Sequence, residues 1–553
     1  MGATLPPRFH PPVVISEHPV MSQRTLTVGS PWRVILLFTV PLLIGNLVQQ
    51  MYHVIDAMVV GNVLGVTSLA AVGATGSLLF LLLGFAWGMT SGFAIPTAQA
   101  FGAGDLRGVR RSVAAGALLS AGVSIFLTIV APLIARPVLV LLRTPPELLD
   151  QATTFAVISF LGAGATMFFN FLSAIIRAIG DSRTPLIFLV IACLMNVVLV
   201  VAFVAWLGYG VGGAALATVL SQLLSVVLCL LFVRRRLPVL HVQREDWRVT
   251  RAELGHHLHL GLPMGFQASI IAIGTLAVQV ALNTLGADAV AAYTTATRVD
   301  GLAIAFLASL GLAVSTFSAQ NYGAGLMDRI RVGVRQSLWM SVAGGLALAA
   351  VLITAGGPIV RSFVGNDAEG VVDMAHWFLV TNGSLYVVLG VLFVLRGALQ
   401  GLGYTLVPTL TGVIELVMRV GAAIILGALF GFTGIVWGNP LAWVGAVVLL
   451  VPAWRAARLK LATTATPSGA SAAFSGPNAF GGSDTVKDTT GVGDNDVHAD
   501  AAPMPLGVSE ADRDMAVSLL ANSVPDEYEP HDDAHGLRHS TQASPQPSPQ
   551  PRS

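Results

Sequence analysis

Five polar side chains interrupt one long apolar run: Asn46, Gln49, Gln50, His53 and Asp56. Their spacing is i, i+3, i+4, i+7 and i+10. At about 100° per residue on a helix, they fall on one stripe about 120° wide. A carboxylate at the centre of a bilayer costs roughly 2.5–3.5 kcal/mol on insertion scales, and lipid cannot satisfy amides or an imidazole either. The stripe must therefore face protein or a water-filled cavity. An aspartate in that setting is a candidate proton-binding group. The plainer alternative puts Asp56 near a helix end, where it caps or hydrogen-bonds locally. Gln49 and His53 become candidate cavity-lining groups. Pro41, five residues before the stripe, removes one backbone hydrogen bond and permits a kink.

A stripe of this kind needs a membrane around it, and the composition supplies the reason to expect one. The chain has 553 residues, 54% hydrophobic and only 11% charged, with mean hydropathy +0.75. A soluble globular protein carries about 25% charged residues. An all-α polytopic membrane protein is expected. Cys193 and Cys229 both lie in apolar runs, which excludes a disulfide framework. Lys460 and Lys487 are the only lysines, and neither follows a glycine, so there is no P-loop. Pumping would need an ion gradient or a partner. No HExxH motif is present, and GMTSG at 88–92 is not a G-x-S-G string. GAGD at 102–105 does match the G-x-G-D of intramembrane aspartyl proteases, but glycines ending a helix account for it better. The expectation is a protein that is not an enzyme, with no resident metal or cofactor and no nucleic-acid partner.

Twelve spans long enough to cross a bilayer follow one another: 34–58, 68–98, 112–135, 150–176, 184–207, 211–233, 257–284, 290–318, 332–355, 374–398, 405–429 and 433–455. Arginine sets their orientation. Counting loops from a cytoplasmic N-terminus, nineteen Arg and Lys fall inside; Arg136, Arg143 and Arg361 fall outside. Both termini are then cytoplasmic, in a multi-pass protein of the plasma membrane. Residues 1–30 are Pro-rich and polar, a disordered lead-in within which Met21 is a candidate start. Residues 1–460 carry 26 basic and 16 acidic groups, whereas 461–553 carry 4 and 13. That acidic stretch cannot bury enough apolar surface to offset chain entropy, so a disordered cytoplasmic tail is expected.

The chain also repeats itself. AQAFGAG at 98–104 returns as AQNYGAG at 319–325, an offset of 221. At that offset Leu64-Gly65 meets Leu285-Gly286, Ala70-Ala71 meets Ala291-Ala292, and Arg110 meets Arg331; Gly180 and Pro185 meet Gly403 and Pro408 at 223, and Pro41 meets Pro263 at 222. Two homologous lobes of six spans are implied, 31–233 and 254–460, joined by an Arg-rich cytoplasmic linker at 234–253. Six is even, so the lobes enter the membrane in the same sense, about a pseudo-two-fold axis along its normal. Parallel lobes facing each other suit alternating access to a site between or within them.

At this point the sequence resembles the MATE (multidrug and toxic compound extrusion) family over about 31–458. The resemblance rests on P41-x14-D56 within YHVIDAMVVGNVLG, the pair AQAFGAG and AQNYGAG, IRAIGDSRTP with LQGLGYTLVP, and GVGGAALATVLSQ at 210–222. TRVDGLA and ELVMR make it more similar to the DinF-like branch than to the NorM-like one. It implies that first-span bending is coupled to protonation of Asp56, and that Asn170, Asn196 and Thr218 are polar partners of the ion-coupling site. It also marks a departure: the family often shows N-x-x-L-D in the fifth span, and here Val200 stands where that aspartate would be. A sodium site needing two carboxylates is thereby put in doubt, and H⁺ is favoured as the coupling ion over Na⁺. Asn170, Asn196 and Thr218 serve equally well as interhelical glue.

The second lobe offers Arg298, Asp300, Arg396, Glu415 and Arg419. Glu415 and Arg419 stand at i, i+4 and can pair on one helix. Asp300 points away from Arg298, so its partner is expected on another span. The resemblance makes Asp300 and Glu415 secondary coupling candidates, while Gln267 and Gln279 are expected to line a cavity. The expected function is a secondary antiporter, a monomer in the lipid bilayer, that exports small organic compounds, typically amphipathic cations. A flippase for a lipid-linked sugar is the alternative, with Arg298, Arg396 and Arg419 lining a cationic cavity.

Overall fold

A computed structural model describes residues 26–142, 144–364 and 369–464, and the described residues are helical nearly throughout. Met21 and all but the first four residues of the acidic stretch lie outside them. In chain order the helices are α1 (Pro31–Leu64), α2 (Val66–Gly102), α3 (Leu106–Leu141), α4 (Pro146–Leu161), α5 (Ala163–Ala178), α6 (Arg183–Val200) and α7 (Gly210–Arg236). After a connector come α8 (Arg251–Asn283), α9 (Ala287–Gly323), α10 (Met327–Val364), α11 (Glu369–Ser384), α12 (Tyr386–Gly401), α13 (Leu406–Gly421), α14 (Gly427–Phe430), α15 (Phe432–Val436) and α16 (Gly438–Thr464). Ten stretches are long and apolar enough to span a membrane, and two more spans are bent pairs, α4–α5 at 47° and α11–α12 at 52°. The twelve expected spans are therefore present. Many run to 34–38 residues, about 50–57 Å at 1.5 Å per residue, so they project well beyond a ~30 Å hydrocarbon core.

The two lobes repeat each other in backbone conformation. Positive-φ glycines occur as pairs: Gly65 and Gly286, Gly104 and Gly325, Gly180 and Gly403, Gly210 and Gly431. Each ends or starts a helix where a Cβ would be strained. A π-helical segment follows α6 at Val201–Trp206, and its counterpart follows α13 at Ala422–Leu426. The bends at Gly162 and Leu385 correspond too. At Gly162 a side chain would collide with Val219 of α7, so the close passage of α7 sets the kink.

The turns at Gly104 and Gly325 and the first residues of α1 lie at one end of the bundle, here called the base. The turns at Gly65 and Gly286 lie at the other, the mouth. Along the seam, α2 crosses α8 at backbone contact: a Cβ on Gly88 would meet the backbone of Met264 and Gly265, and one on Gly92 that of Leu260 and Gly261. At the base the contact is reciprocal. A Cβ on Gly102 would strike the Gln320 backbone, and one on Gly323 the Gln99 backbone. Gln99 Nε2 donates to Gly401 O at 3.0 Å, and Gln320 Nε2 donates to Ala178 O at 2.6 Å. Each glutamine thus closes the base by reaching the far lobe. The connector is pinned to the first lobe as well, by Arg110 to Asp246 (3.3 Å) and Arg111 to Glu253 (2.8 Å), with a Thr250–Glu253 capping box starting α8.

The cores are unequal. The largest buried cluster fills the second lobe and takes in Ile35, Phe38 and Leu42 from the first turns of α1. Further along α1, Val60 joins a first-lobe cluster with Val200, Val204 and Val211. One helix thus serves both lobes. Large apolar side chains such as Phe126, Leu133, Val280 and Val448 are exposed on the flanks, where lipid replaces water.

Candidate functional site

The polar stripe of α1 divides between the lobes. Asn46 Nδ2 donates to Ser309 Oγ of α9 at 2.9 Å, across the seam. Gln50 faces the same helix, with its Nε2 3.8 Å from where a Cβ on Gly301 would stand. His53 and Gln49 are exposed. Asp56 lies at the stripe's other edge, about 80° round the helix from Asn46. Its neighbours one turn away are Tyr52 and Val60, both buried. That edge turns toward the first-lobe interior.

There Tyr52 donates its hydroxyl to Thr218 Oγ1 at 3.0 Å. Asn196 Nδ2 reaches the same oxygen at 3.4 Å, and Thr218 donates to Ala214 O at 3.1 Å. Asn196 and Thr218 are thus brought together, with α1 tied to them through Tyr52 rather than through Asp56. Asn170 of α5 is half-buried and outside this cluster. Asp56 Oδ1 is buried with no hydrogen-bond partner. Val200 is buried in the same apolar cluster as Val60. Tyr52 is missing from the stripe as read above because an aromatic in an apolar run scores as core; its hydroxyl at i−4 from Asp56 was the available signal. Pro41 is buried within α1, and Thr39 hydroxyl donates to Ile35 O at 2.8 Å beside it.

The second lobe treats its carboxylates differently. Asp300, on α9, is 3% exposed; Tyr386 hydroxyl donates to its Oδ1, and Asn382 Nδ2 donates to Oδ2 at 3.3 Å. Both donors flank the α11–α12 bend, so the expected partner does come from another span. Glu415 is held by Arg396 on one oxygen and by Arg419 on the other at 3.6 Å, while Arg396 also donates to Thr411 Oγ1 at 3.0 Å. The expected i, i+4 pair forms, with a second guanidinium added. Gln267 departs from expectation. It is buried between helices, donating to Pro408 O at 2.5 Å and accepting from Gln400 Nε2 at 3.0 Å, so it braces α8 against α12 and α13 instead of lining a cavity. Gln279 donates to Asn283 Oδ1 at 3.0 Å near the mouth. Among the described residues no cluster of three or more His, Cys, Asp or Glu could hold a metal ion.

The two lobes are in backbone contact along the α2–α8 seam and at the base. One lobe carries a carboxylate with an orphan oxygen; the opposite lobe has its own carboxylates bonded and buried. Of the three arginines that could make a cationic cavity, Arg396 and Arg419 are engaged with Glu415, which leaves Arg298. The family model described as MatE matches residues 41–202 and 263–441, together more than half of the chain. The probable multidrug resistance protein YpnP of Bacillus subtilis (strain 168) is 28% identical over 385 residues, covering 69% of this chain and 85% of that protein. The DNA damage-inducible protein F of Escherichia coli (strain K12) is 29% identical over 305 residues, 54% of this chain and 66% of that one. A solved structure described as an outward-facing conformation of a multidrug resistance MATE family transporter superposes with TM-score 0.73 at 23% identity, covering 81% of this chain and 99% of that chain. The two-lobed, twelve-span fold and the family match together make this chain a member of the MATE family, a multi-pass membrane transporter of small molecules.

Proposed function

We propose that the chain is a secondary antiporter that exports organic compounds, amphipathic cations among them, in exchange for H⁺. The observation that carries this reading is the contrast between Asp56, whose Oδ1 is buried without a partner, and the fully bonded Asp300 and Glu415. A carboxyl left free at the edge of a cleft can gain and lose a proton without breaking a network. Gaining one alters how α1 packs between the lobes, and substrate in the cleft competes with it; that reciprocity is the whole requirement for exchange. Val200 removes the second carboxylate that Na⁺ would use, which favours H⁺. The multidrug names of the relatives support export of diverse compounds. In this reading the mouth faces outward, the base and both termini are cytoplasmic, the membrane is the plasma membrane, and the protein works as a monomer without enzymatic activity.

The test is ΔpH-driven uptake of ethidium into inverted vesicles by wild type and Asp56→Asn at equal expression. Uptake should collapse with the proton gradient and be lost in the variant. Uptake that survives Asp56→Asn would make Asp56 structural and move the coupling site elsewhere.

A further inference from the structure

Half-buried arginines at the base have partners. Arg110 pairs with Asp246, Arg111 with Glu253 and Arg331 with Asp328, while Arg329 donates to the Leu26 and Gly29 carbonyls. Arg177 is the exception. It stands 15th of the 16 residues of α5 (Ala163–Ala178), next to Ala178, whose carbonyl takes the Gln320 bond from the other lobe. Its side chain is half-buried, yet among the described residues no group gives it an ion pair or a hydrogen bond. A guanidinium withdrawn from water without a partner is costly.

A cavity of about 30 Å³ adjoins it, walled by α2 and α5 of the first lobe and α9 of the second. The polar groups of its lining are Arg177, Ser91, Ser315 and Thr316; the remainder is aliphatic, with no acid. Ser91 and Thr316 give their protons to the Trp87 and Leu312 carbonyls. Ser315, 8% exposed, donates to no described group. Two free donors, one of them charged and from opposite lobes, thus share an otherwise apolar wall with nothing to accept from them. The repeat shows that the scaffold does not require the charge. At offset 223 Arg177 matches Gln400, whose Nε2 is satisfied by Gln267 Oε1. At offset 222 Gln267 in turn matches Gly45, which has no side chain to offer.

We propose that this cavity is a binding site for a small monatomic anion, chloride in the cell, bridging Arg177 of the first lobe and the Ser315 hydroxyl of the second. The volume sets the class: it equals the ~30 Å³ share of one water in the liquid, which admits a halide and excludes phosphate, sulfate or an organic acid. The bridge lies beside the Gln320–Ala178 contact, so it joins the lobes where the base is shut. The site stands independently of the export reading.

The experiment is a thermal melt of the purified full-length protein in detergent, with gluconate replaced by chloride at fixed ionic strength. A ligand that binds the folded state raises the melting temperature until the site is full. The wild type should show a saturating rise, half-complete at about 1–10 mM chloride, the range for one guanidinium and one hydroxyl contact. Sulfate stabilises folded proteins by exclusion from their surfaces and should give no such saturation. In Arg177→Gln the saturating rise should vanish; in Ser315→Ala its midpoint should move about 3- to 10-fold higher. A wild-type melt indifferent to chloride, or a rise in Arg177→Gln that matches the wild type, overturns the proposal. Should Arg177→Gln fail to fold, Ser315→Ala decides alone, and an unmoved midpoint overturns it.

Discussion

The reciprocal glutamines at the base make a quantitative claim about how the lobes are held. Gln99 and Gln320 each give one side-chain hydrogen bond to the opposite lobe, to Gly401 O and Ala178 O. A net value of about 0.5–1.5 kcal/mol per bond, at 1.4 kcal/mol per tenfold, means that losing either raises the population with an open base about 2- to 13-fold. Losing both, on distant independent contacts, should raise it about 5- to 150-fold. Gln320 also accepts from Leu26 N at 2.9 Å, but Leu26 belongs to the second-lobe core and moves with Gln320. Gln320→Leu should therefore match Gln99→Leu in opening the base and exceed it in lowering the melting temperature. The assay is maleimide labelling of Ala174→Cys, a site 3% exposed in the cross-lobe cluster with Ala98 and Ala319, after Cys193 and Cys229 are replaced by alanine. Labelling rate follows the open population when opening is fast. Rates within twofold of wild type in the double variant would refute the latch; a strongly unequal pair of single variants would refute its symmetry.

Other outcomes follow from the packing. Glu415→Gln leaves Arg396 and Arg419 buried without their carboxylate and should cost about 3–5 kcal/mol, more than replacing Glu415 and Arg396 together by methionine; detergent thermal melts that rank the single variant milder would count against a buried triad. Gly92→Ala places a Cβ against the backbone of Gly261 and Leu260 and should destabilise by about 1–3 kcal/mol, read as a lowered melting temperature. An unchanged melt would mean that the α2–α8 crossing yields more easily than the geometry indicates.

Much of this was legible in the sequence because the signals were long or duplicated. Twelve apolar stretches of membrane length read directly as spans, and AQAFGAG with AQNYGAG announced two lobes. The stripe on α1 was also legible, but only as a stripe. Periodicity tells which residues share a face; it does not tell that one edge of the face meets α9 while the other meets α7. Hence Asp56 was found and Tyr52 was not. The bends at Gly162 and Leu385 escaped notice for a related reason. A glycine or a serine inside an apolar span is common, and at Gly162 it is Val219 of α7 passing close that local sequence does not record. Gln267 looked like a cavity residue because a polar side chain in an apolar span needs a partner; water and Pro408 O satisfy that need equally well on paper. Glu415 and Arg419 were predictable from i, i+4 spacing, whereas Arg396, on another helix, was not.

The paired glycines, π segments and bends carry a consequence about ancestry. Backbone devices that recur at one offset are what a gene duplication followed by fusion leaves behind, and a symmetric homodimer would be the simplest form of such a bundle. In a dimer every residue appears twice about the axis. An aspartate at the level of Asp56 would then stand in both lobes. A fused chain escapes that bookkeeping. It keeps the scaffold doubled and lets the charges differ, so that Asp56 of one lobe has Ala277 as its counterpart in the other. Unlike lobes are something that only a molecule which has stopped being two identical halves can present to its cargo.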